Sequence, residues 1–469
     1  MSSKNSLGKL TILYLVGNLA SRVINFAMFF VYTFYLSKKD IGLYDVIQNG
    51  ILLITPILSL QLFDALFRQI ITETDKNKIS KVITSAFVVT FICLLAFTIL
   101  YFFVFDYIYD QYKFEIYFLV ISQTLFLFFP QLARGLQKNN VYVVSGVLYT
   151  FSIAIVSFIL LTFFNCKIDG LIIANSAAYF AAILFVTFKI KLWNYFKFQH
   201  YNTELVKEMI TYGLPLIPNT LSWWGISYAN RYIILKYMNL EANGLFAVAQ
   251  KLPAILYMLT VVFGMAWSEK AILSYEAENK NEYYSDVFTK YYNLIFSIVI
   301  VLLATSTPFF MFLVDAAYAD ACSLMPLLYL AVVFQSLANF YGTGYTSSKN
   351  TKGAFYTTLV GTIVTIVTSF VMIPQIGLYG AALSFMLGYL VMFLVRIYDT
   401  KRYFKITFPI KETLIFSLIF GVVYYLSIYK NYYIIALNLI IAGLVAVYIN
   451  RDLILNYLQK FKLKLQKSS

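Results

Sequence analysis

The stretch that decides the fold runs from Tyr212 to Pro253 and contains two long apolar segments joined by a short polar turn. It reads Tyr212-Gly213-Leu214-Pro215-Leu216-Ile217-Pro218-Asn219, continues through an apolar run with Trp223, Trp224 and Arg231, turns at Glu241 to Asn243, and resumes as Gly244-Leu245-Phe246-Ala247-Val248-Ala249-Gln250-Lys251-Leu252-Pro253. Each segment is long enough to cross a bilayer, which takes about 20 apolar residues. Each also carries a cation, polar amides and helix-breaking residues that lipid does not tolerate. We therefore predict two membrane-spanning helices that face a polar space.

The first segment carries a stripe of polar and aromatic side chains. They follow one another at steps of one and three residues, which places them on one face of a helix. The stripe consists of Asn219, Thr220, Trp223, Trp224, Ser227, Tyr228 and Arg231. Two interpretations of Arg231 stay open, because it either binds a ligand or extends its charge to the membrane interface near Lys236.

The composition is that of an integral membrane protein. Of the 469 residues, 61% are hydrophobic and 12% are charged, whereas soluble domains carry about 25% charged residues. We expect the first apolar run to span the membrane rather than to be cleaved as a signal. Hydropathy predicts an all-α polytopic membrane protein with about 14 transmembrane helices, at about 10–36, 42–66, 82–105, 114–133, 140–164, 169–190, 211–236, 243–267, 289–312, 324–343, 353–373, 377–397, 410–428 and 432–449.

The distribution of basic residues predicts the orientation. Most of the 36 Lys and Arg residues lie at the termini and in every second loop. The alternate loops hold Lys38, Lys39, Lys113, Lys167, Lys236 and Lys430. This bias places both termini in the cytoplasm. Basic loops beside anionic headgroups also explain the net charge of +14, so we expect no nucleic-acid partner.

Three basic residues lie inside predicted spans, namely Arg22, Arg231 and Lys251. Arg22 is near the middle of the first span, on a polar stripe with Asn18 and Asn25. A cation at that depth costs about 3 kcal/mol or more unless it faces a polar cavity or a partner. We therefore predict that Arg22 has a functional role.

The second predicted span carries Asp45 and Gln48, and Asp45 lies about a turn inside its outward end. Asp45 is open to two interpretations. It forms an ion pair with Arg22 or Lys251, or it carries a coupling cation.

Two halves of the chain resemble each other. Gly42-Leu43-Tyr44-Asp45-Val46-Ile47-Gln48 matches Gly244-Leu245-Phe246-Ala247-Val248-Ala249-Gln250 at an offset of 202 residues, and Gly170 and Tyr179 match Gly380 and Tyr389 at an offset of 210. The ordered matches predict two six-helix lobes, 1–200 and 201–405, related by a pseudo-twofold axis along the membrane normal. Residues 406–469 then contain helices 13 and 14 and a basic tail.

Helix-breaking residues occur in corresponding spans of the two predicted lobes. Gly213, Pro215 and Pro218 interrupt the seventh span, Pro253 the eighth and Pro56 the second. In transporters built from repeats, such interrupted helices mark the binding site. We therefore expect a substrate cavity between the lobes.

Four elements together resemble the Wzx-type polysaccharide flippases of the MOP (multidrug/oligosaccharidyl-lipid/polysaccharide) superfamily. They are Tyr212-Gly213-Leu214-Pro215-Leu216-Ile217-Pro218, Arg231, Gly244-Leu245-Phe246-Ala247-Val248-Ala249-Gln250, and Ile376-Gly377-Leu378-Tyr379-Gly380-Ala381-Ala382-Leu383. The resemblance extends from Gly17 to about Arg396, and the layout of about 14 helices is similar to that of lipid II flippases. It implies a protein of the bacterial cytoplasmic membrane that moves an undecaprenyl-diphosphate-linked oligosaccharide to the outer leaflet by alternating access, for surface polysaccharide biosynthesis.

The chemistry of the predicted site agrees with this implication. A diphosphate requires fixed cations, which Arg22, Arg231 and Lys251 would supply. Sugars require amides, hydroxyls and aromatic faces, which the other predicted binding residues provide: Asn18, Asn25, Gln48, Trp223, Trp224, Tyr228 and Gln250. The partners expected are therefore the lipid-linked oligosaccharide, membrane lipids and, if Asp45 serves in coupling, an ion.

Three other functions were weighed against a polysaccharide flippase. A cation-coupled multidrug antiporter of the same fold requires a cavity rich in carboxylates, whereas the stripes here are basic. A lipid II flippase shares the helix layout. An enzyme acting on lipid-linked glycans requires a catalytic group, and the sequence contains no acid/base pair, nucleophile triad or phosphate-binding glycine loop. We expect no enzyme activity, no cofactor and no metal site, since His200 has no ligand-spaced neighbours.

Overall fold

The computed structural model describes residues 2–105, 112–348 and 350–451 together with residue 455, without the side chains of residues 2–16, 18, 19, 104, 105 and 351. Of the described residues, 87% are helical. The predicted all-α fold is therefore confirmed. Its contacts divide the chain into two compact units, Met1–Trp224 (unit 1) and Gly225–Ser469 (unit 2).

Unit 1 contains eight helices and most of a ninth among its described residues. They are α1 (Ser2–Tyr35), α2 (Lys38–Leu58), α3 (Leu62–Ile71), α4 (Lys76–Phe105), α5 (Lys113–Gly135), α6 (Asn139–Thr162), α7 (Lys167–Ile190), α8 (Thr203–Gly213) and α9 (Leu216–Tyr228). One apolar core joins α3, α4, α5, α7 and α8 around side chains such as Leu66 and Phe128. Because α8 packs against α3 and α4, the division after Trp224 differs from the sequence-based boundary at residue 200, which stays a prediction.

Unit 2 holds the remaining described helices. They are α10 (Asn230–Tyr237), α11 (Leu240–Ala249), α12 (Lys251–Leu273), α13 (Lys280–Phe312), α14 (Met325–Ser347), α15 (Thr351–Ile376), α16 (Leu378–Thr400), α17 (Ile410–Ser427) and α18 (Tyr432–Ile449). Helix α16 packs against α14 and α15, and α13 packs against α17 and α18. Large rings fill this interior, among them the fully buried Tyr284, Tyr292 and Tyr389.

Twelve helical segments of the described residues are long and apolar enough to cross a membrane. The two other predicted spans are the first, which falls in α1, and the seventh, which is divided among α8, α9 and α10. Many large apolar side chains on these helices point outward, such as Leu418 on α17 and Tyr433 on α18, which are 72% and 86% exposed. Outward apolar surface of this extent suits lipid and not water. The chain is a multi-pass membrane protein.

The second predicted span is two helices rather than one. Helix α2 continues through Pro56 to Leu58, and the interruption falls at residues 59–61, just beyond the proline. Leu60 and Gln61 take left-handed backbone angles, with φ of 48° and 53°, which ends α2 and redirects the chain into α3. The prediction that Pro56 itself interrupts the span is therefore wrong by a few residues.

The seventh predicted span is interrupted at Gly213-Leu214-Pro215, as predicted. Pro215 has no N–H group to continue the helical ladder, and α9 begins at Leu216. A Cβ atom built on Gly213 would lie 2.3 Å from the carbonyl oxygen of Leu60. Only glycine therefore allows the end of α8 to approach the left-handed turn between α2 and α3 so closely.

The eighth predicted span is interrupted three residues before Pro253. Helix α11 ends at Ala249 and α12 begins at Lys251, with Gln250 between them. Pro253 lies in the first turn of α12, as Pro218 does in α9, and a proline is tolerated there because the missing N–H would have no helical acceptor. The prolines thus mark helix starts, and the site residue Gln250 lies at the interruption itself.

Candidate functional site

Arg231 is the most enclosed of the predicted site residues whose side chains are described. It lies in the first turn of α10, directly after the interruption at Ala229, and is only 2% exposed. Its Nη1 donates to the backbone oxygen of Ser227 at 3.2 Å, and its Nη2 donates to Oε1 of Gln250. Both acceptors are neutral, so these two bonds orient the guanidinium group without adding a negative charge.

Two aromatic rings also lie beside the guanidinium group of Arg231. The guanidinium carbon lies 5.1 Å from the ring centroid of Phe246 and 5.6 Å from that of Tyr228. Both distances fall within the range of cation–π attraction, which stabilises a buried cation by about 0.5–2 kcal/mol. The structure therefore brings together three predicted site residues of unit 2, Tyr228, Arg231 and Gln250, and their role in binding stays a prediction.

The amide of Gln250 is only half satisfied. Its oxygen accepts from Arg231, while Nε2 is buried and has no hydrogen-bond partner among the described residues. A buried N–H group without an acceptor costs about 1–3 kcal/mol. A buried donor of this kind in a native structure requires an explanation.

The two predicted tryptophans belong to unit 1. Trp223 and Trp224 are half-buried on α9, and the indole Nε1 of Trp224 donates to the backbone oxygen of Asn49 on α2 at 2.7 Å. The boundary between the units falls after Trp224. The predicted stripe on the seventh span is therefore divided, with its tryptophans in unit 1 and its arginine in unit 2.

Gln48 belongs to a buried hydrogen-bond network in unit 1. Its Nε2 donates to the hydroxyl of Tyr44 at 3.1 Å, and that hydroxyl also accepts from the amide of Asn175 on α7. The oxygen of Asn175 accepts from Tyr149 on α6 at 2.8 Å. Sequence analysis missed these partners because they come from helices far apart in the chain.

The other predicted site residues are more open. Arg22 and Asn25 are exposed on α1, and the side chain of Asn18 on the same helix lies outside the described set. Lys251 is exposed at the first residue of α12. The three predicted cations therefore differ in their surroundings, and only Arg231 is buried.

Asp45 is half-buried on α2, and its backbone oxygen accepts from Nδ2 of Asn49 at 2.7 Å. Its role as a coupling site stays a prediction. Among the described residues, no group of three or more His, Cys, Asp or Glu side chains is placed to hold a metal ion.

A buried arginine that sequence analysis counted with the loops lies in unit 2. Arg396 is within α16 and is 3% exposed. Its nitrogens donate to the hydroxyls of Thr357 and Thr358 at 3.1 and 3.0 Å and to the backbone oxygen of Ala338 at 2.9 Å. The expectation that Arg22, Arg231 and Lys251 are the basic residues inside the spans was therefore wrong, because a residue near the end of a hydropathy window is easily assigned to a loop.

The tyrosines matched by the internal repeat are both buried, but their contacts differ. Tyr179 on α7 stacks on Tyr149 at 4.5 Å. The hydroxyl of Tyr389 on α16 lies 3.0 Å from that of Ser227 and accepts from Gln335 at 2.9 Å. The repeat of two lobes stays a prediction.

Comparison with known proteins identifies the fold. The lipid II flippase MurJ in an inward closed conformation superposes with a TM-score of 0.71 at 18% identity, covering 94% of this chain and all of that one. A multidrug resistance MATE family transporter of the MOP superfamily superposes in its inward-facing conformation with a TM-score of 0.67 at 13% identity, covering 81% of this chain and 94% of that one. A multidrug resistance MATE family transporter of the MOP superfamily in an outward-facing conformation superposes with a TM-score of 0.61 at 14% identity, covering 85% of this chain and 95% of that one. At these identities the likeness shows a shared fold.

The family is shown by the sequence itself. No curated protein matches the chain. A family model described as "Polysaccharide biosynthesis protein" matches residues 7–268, which is more than half of the chain and includes both interrupted helices around Arg231. The match and the fold confirm the predicted resemblance to MOP-type flippases, and the chain belongs to the polysaccharide biosynthesis protein family.

Proposed function

We propose that this chain is a flippase that moves an undecaprenyl-diphosphate-linked oligosaccharide from the cytoplasmic to the outer leaflet of a bacterial cytoplasmic membrane, by alternating access and with both termini in the cytoplasm. Membership of a polysaccharide biosynthesis family and the fold shared with a lipid II flippase support a lipid-linked substrate. The multi-pass architecture of apolar helices supports transport across a bilayer. This transport step would then supply the glycan from which the surface polysaccharide is built.

The observation that carries the proposal is the pair formed by Arg231 and Gln250. The guanidinium group is buried, and two of its hydrogen bonds go to the backbone oxygen of Ser227 and to the side-chain oxygen of Gln250. The same contact fixes the Gln250 amide so that Nε2 is left without an acceptor in the described part of the chain. A diphosphate supplies both a negative charge for Arg231 and oxygen acceptors for the amide.

The helix interruptions place this pair where the backbone can change. Arg231 follows the interruption at Ala229, and Gln250 separates α11 from α12. A few residues between helices are enough to absorb the changes in backbone angles that accompany alternating access. We therefore assign binding of the diphosphate to Arg231 and Gln250. Lys251 and Arg22 are exposed, and we assign to them a role in attracting the diphosphate.

The remaining predicted residues suit the sugar part of the substrate. Gln48, Trp223 and Trp224 are half-buried, and Tyr228 and the tryptophans offer aromatic faces. Asn25 is exposed on α1, and Asn18 belongs to the same helix. Amides and aromatic faces of this kind provide orientation and specificity in ligand sites.

The proposal is tested by deleting the gene and measuring lipid-linked glycans in the membrane. We expect undecaprenyl-diphosphate-linked repeat units to accumulate on the inner leaflet and the surface polymer to be lost, with both restored by the wild-type gene. Accumulation of lipid II instead would indicate a lipid II flippase, and loss of cationic dye efflux alone would indicate an antiporter. Unchanged lipid pools with an intact surface polymer would contradict the proposal.

A further inference from the structure

A groove lies in unit 2 between α15 and α16, at the end where α15 begins and α16 ends. Its volume is about 400 Å³. The lining positions recur every three or four residues on each helix, which places them on one face of α15 and one face of α16. Among them are Lys352, Tyr356 and Val360 on α15, and Tyr398, Asp399 and Arg402 on or directly after α16.

Two cations line this groove. Lys352 is exposed in the first turn of α15, and no ion pair among the described residues joins it to a carboxylate. Arg402 is exposed just after the end of α16, and its Nη2 donates to Oδ2 of Asp399 at 2.9 Å. Asp399 is the one carboxylate of the described lining. The lining therefore carries a net positive charge.

Asp399 is also held by a tyrosine from the interior of unit 2. Tyr345 on α14 is fully buried, and its hydroxyl donates to Oδ2 of Asp399 at 2.8 Å. In the ion pair, the side chain of Arg402 is 53% exposed and that of Asp399 is 30% exposed. The guanidinium group is therefore the more accessible partner. Ion pairs with this much exposure are weak, so the pair leaves Arg402 able to bind a second anion.

Two tyrosines of the lining have free ring faces. Tyr356 on α15 and Tyr398 on α16 are 61% and 78% exposed, although both helices are long and apolar enough to cross a membrane. The Nζ of Lys401 lies 5.7 Å from the ring centroid of Tyr398. Exposed tyrosines beside basic residues are typical of the membrane–water interface, where the ring contacts hydrocarbon and the hydroxyl contacts headgroups.

An exposed apolar stripe continues from the groove along α15. It consists of Val360, Ile363, Val367 and Val371, which follow Tyr356 at steps of three and four residues and therefore lie on one face of the helix. Each of the four is between 38% and 55% exposed. Because α15 is a candidate membrane span, this face suits contact with acyl chains.

These features select a ligand with an anionic head and a hydrocarbon tail. A soluble phosphate would match the cations but would leave the apolar stripe uncovered. A zwitterionic lipid would match the stripe but would bring a cationic amine to a basic lining. An anionic phospholipid matches both, because its phosphate accepts from lysine and arginine, and basic pockets between transmembrane helices bind such headgroups.

We propose that this groove binds the headgroup of an anionic phospholipid, with its phosphate held by Lys352 and Arg402 and an acyl chain lying on the stripe that begins at Val360. The predicted orientation of the chain places this end of α15 and α16 at the cytoplasmic face, so the lipid belongs to the inner leaflet. The lining residues are different from Arg231 and Gln250. The inference therefore does not depend on which substrate the chain transports.

The test measures lipid binding to the purified full-length protein in detergent by native mass spectrometry. Dioleoyl-phosphatidylglycerol is titrated, and dioleoyl-phosphatidylcholine, with the same acyl chains, is the zwitterionic comparator. We expect phosphatidylglycerol to bind at least fivefold more tightly than phosphatidylcholine. The double variant Lys352→Gln/Arg402→Gln should bind phosphatidylglycerol at least fivefold more weakly than the wild type and should bind phosphatidylcholine equally well.

The matched control is the double variant Lys270→Gln/Arg134→Gln. Both side chains are exposed near helix ends and neither lines the groove, so the same two charges are removed elsewhere. This variant should keep the preference for phosphatidylglycerol.

The contribution of the exposed rings is tested by Tyr398→Ser, which should weaken binding of both lipids several-fold. Its control is Tyr433→Ser, which removes an 86% exposed tyrosine of α18 and should leave binding unchanged. All four variants alter exposed side chains, so their thermal midpoints in detergent should match that of the wild type.

Equal binding of the two lipids by the wild type would overturn the inference, as would the same loss of preference in both double variants. Inorganic phosphate is the third probe. Displacement of phosphatidylglycerol by an equal concentration of inorganic phosphate would also overturn the inference, because the groove would then recognise the anion and not the lipid.

Discussion

Unit 2 contains two buried arginines whose surroundings differ. Arg231 on α10 and Arg396 on α16 are 2% and 3% exposed. A cation at such a position is costly unless it is paired or serves a function. Their contacts show that burial alone does not distinguish a structural arginine from one at a ligand site.

Arg396 is held by regular packing. It bonds to two threonines of α15 and one carbonyl of α14, and its own helix packs closely against both. A Cβ atom built on Gly342 would lie 2.8 Å from its Nη1, so the backbone of α14 is shaped around the guanidinium group. These contacts describe an arginine that joins three helices.

Arg231 is held at irregular backbone. Two of its acceptors are a carbonyl at the end of α9 and the amide oxygen of Gln250, which lies between α11 and α12. The Nε2 of Gln250 has no acceptor among the described residues. Burial is nearly the same for the two arginines. The irregular backbone around Arg231 and the unbonded Nε2 of Gln250 therefore distinguish the candidate ligand site from the structural arginine.

The largest expected effect is the loss of stability caused by Arg396→Met. Methionine preserves much of the side-chain volume, but it cannot form the three hydrogen bonds described for Arg396. Two threonine hydroxyls and one backbone oxygen then lose the donor that the guanidinium group supplies. We expect a loss of about 2–4 kcal/mol in unfolding free energy, measured as a lower thermal midpoint in detergent. Transport per folded molecule should be retained, and a selective loss of transport would break the distinction between the two arginines.

Arg231→Gln should impair transport and leave stability nearly unchanged. Loss of charge-assisted hydrogen bonds worth about 1.5–3 kcal/mol predicts roughly tenfold to hundredfold slower transport, with little change in the thermal midpoint. The measurement is the amount of inner-leaflet lipid-linked oligosaccharide in complemented deletion cells.

The matched control for that variant is Arg134→Gln. Arg134 is an exposed arginine at the end of α5, stacked on Phe67 at 4.5 Å, so its loss removes the same charge elsewhere. Equal impairment by the two variants would show that net charge, not the position of Arg231, is what matters.

A smaller effect on stability is expected for Gly342→Ala. The new methyl group would crowd Nη1 of Arg396, whose hydrogen bonds limit how far it can move. Overpacking of this kind costs about 1–3 kcal/mol. Combining it with Arg396→Met should relieve the clash, so that the double variant is less unstable than the sum of the two single losses.

The smallest effect expected is that of Gln250→Glu. A carboxylate at this position pairs with Arg231 and competes with the substrate phosphates, which predicts transport slower by about threefold to tenfold. The thermal midpoint should stay the same or rise. Transport that is faster than in the wild type would indicate that the positive charge of Arg231 does not engage an anion.

Sequence patterns predicted the apolar helices and the interruption at Gly213 and Pro215, because both depend on local backbone chemistry. The interruption of the second span was predicted at Pro56, but it falls just after α2, where Leu60 and Gln61 take left-handed angles. Sequence did not show this, because such angles at non-glycine residues depend on tertiary packing against Gly213. Arg396 was missed as a buried residue because its acceptors come from α14 and α15.

The most direct test of the central claim is the initial rate of undecaprenyl-diphosphate-linked oligosaccharide transfer in proteoliposomes containing equal amounts of folded wild type, Arg231→Gln and Arg134→Gln. We predict that the wild type and Arg134→Gln transfer the lipid well above protein-free vesicles and that Arg231→Gln is at least tenfold slower. A wild-type rate equal to that of protein-free vesicles, or an Arg231→Gln rate equal to the wild-type rate, would contradict the account.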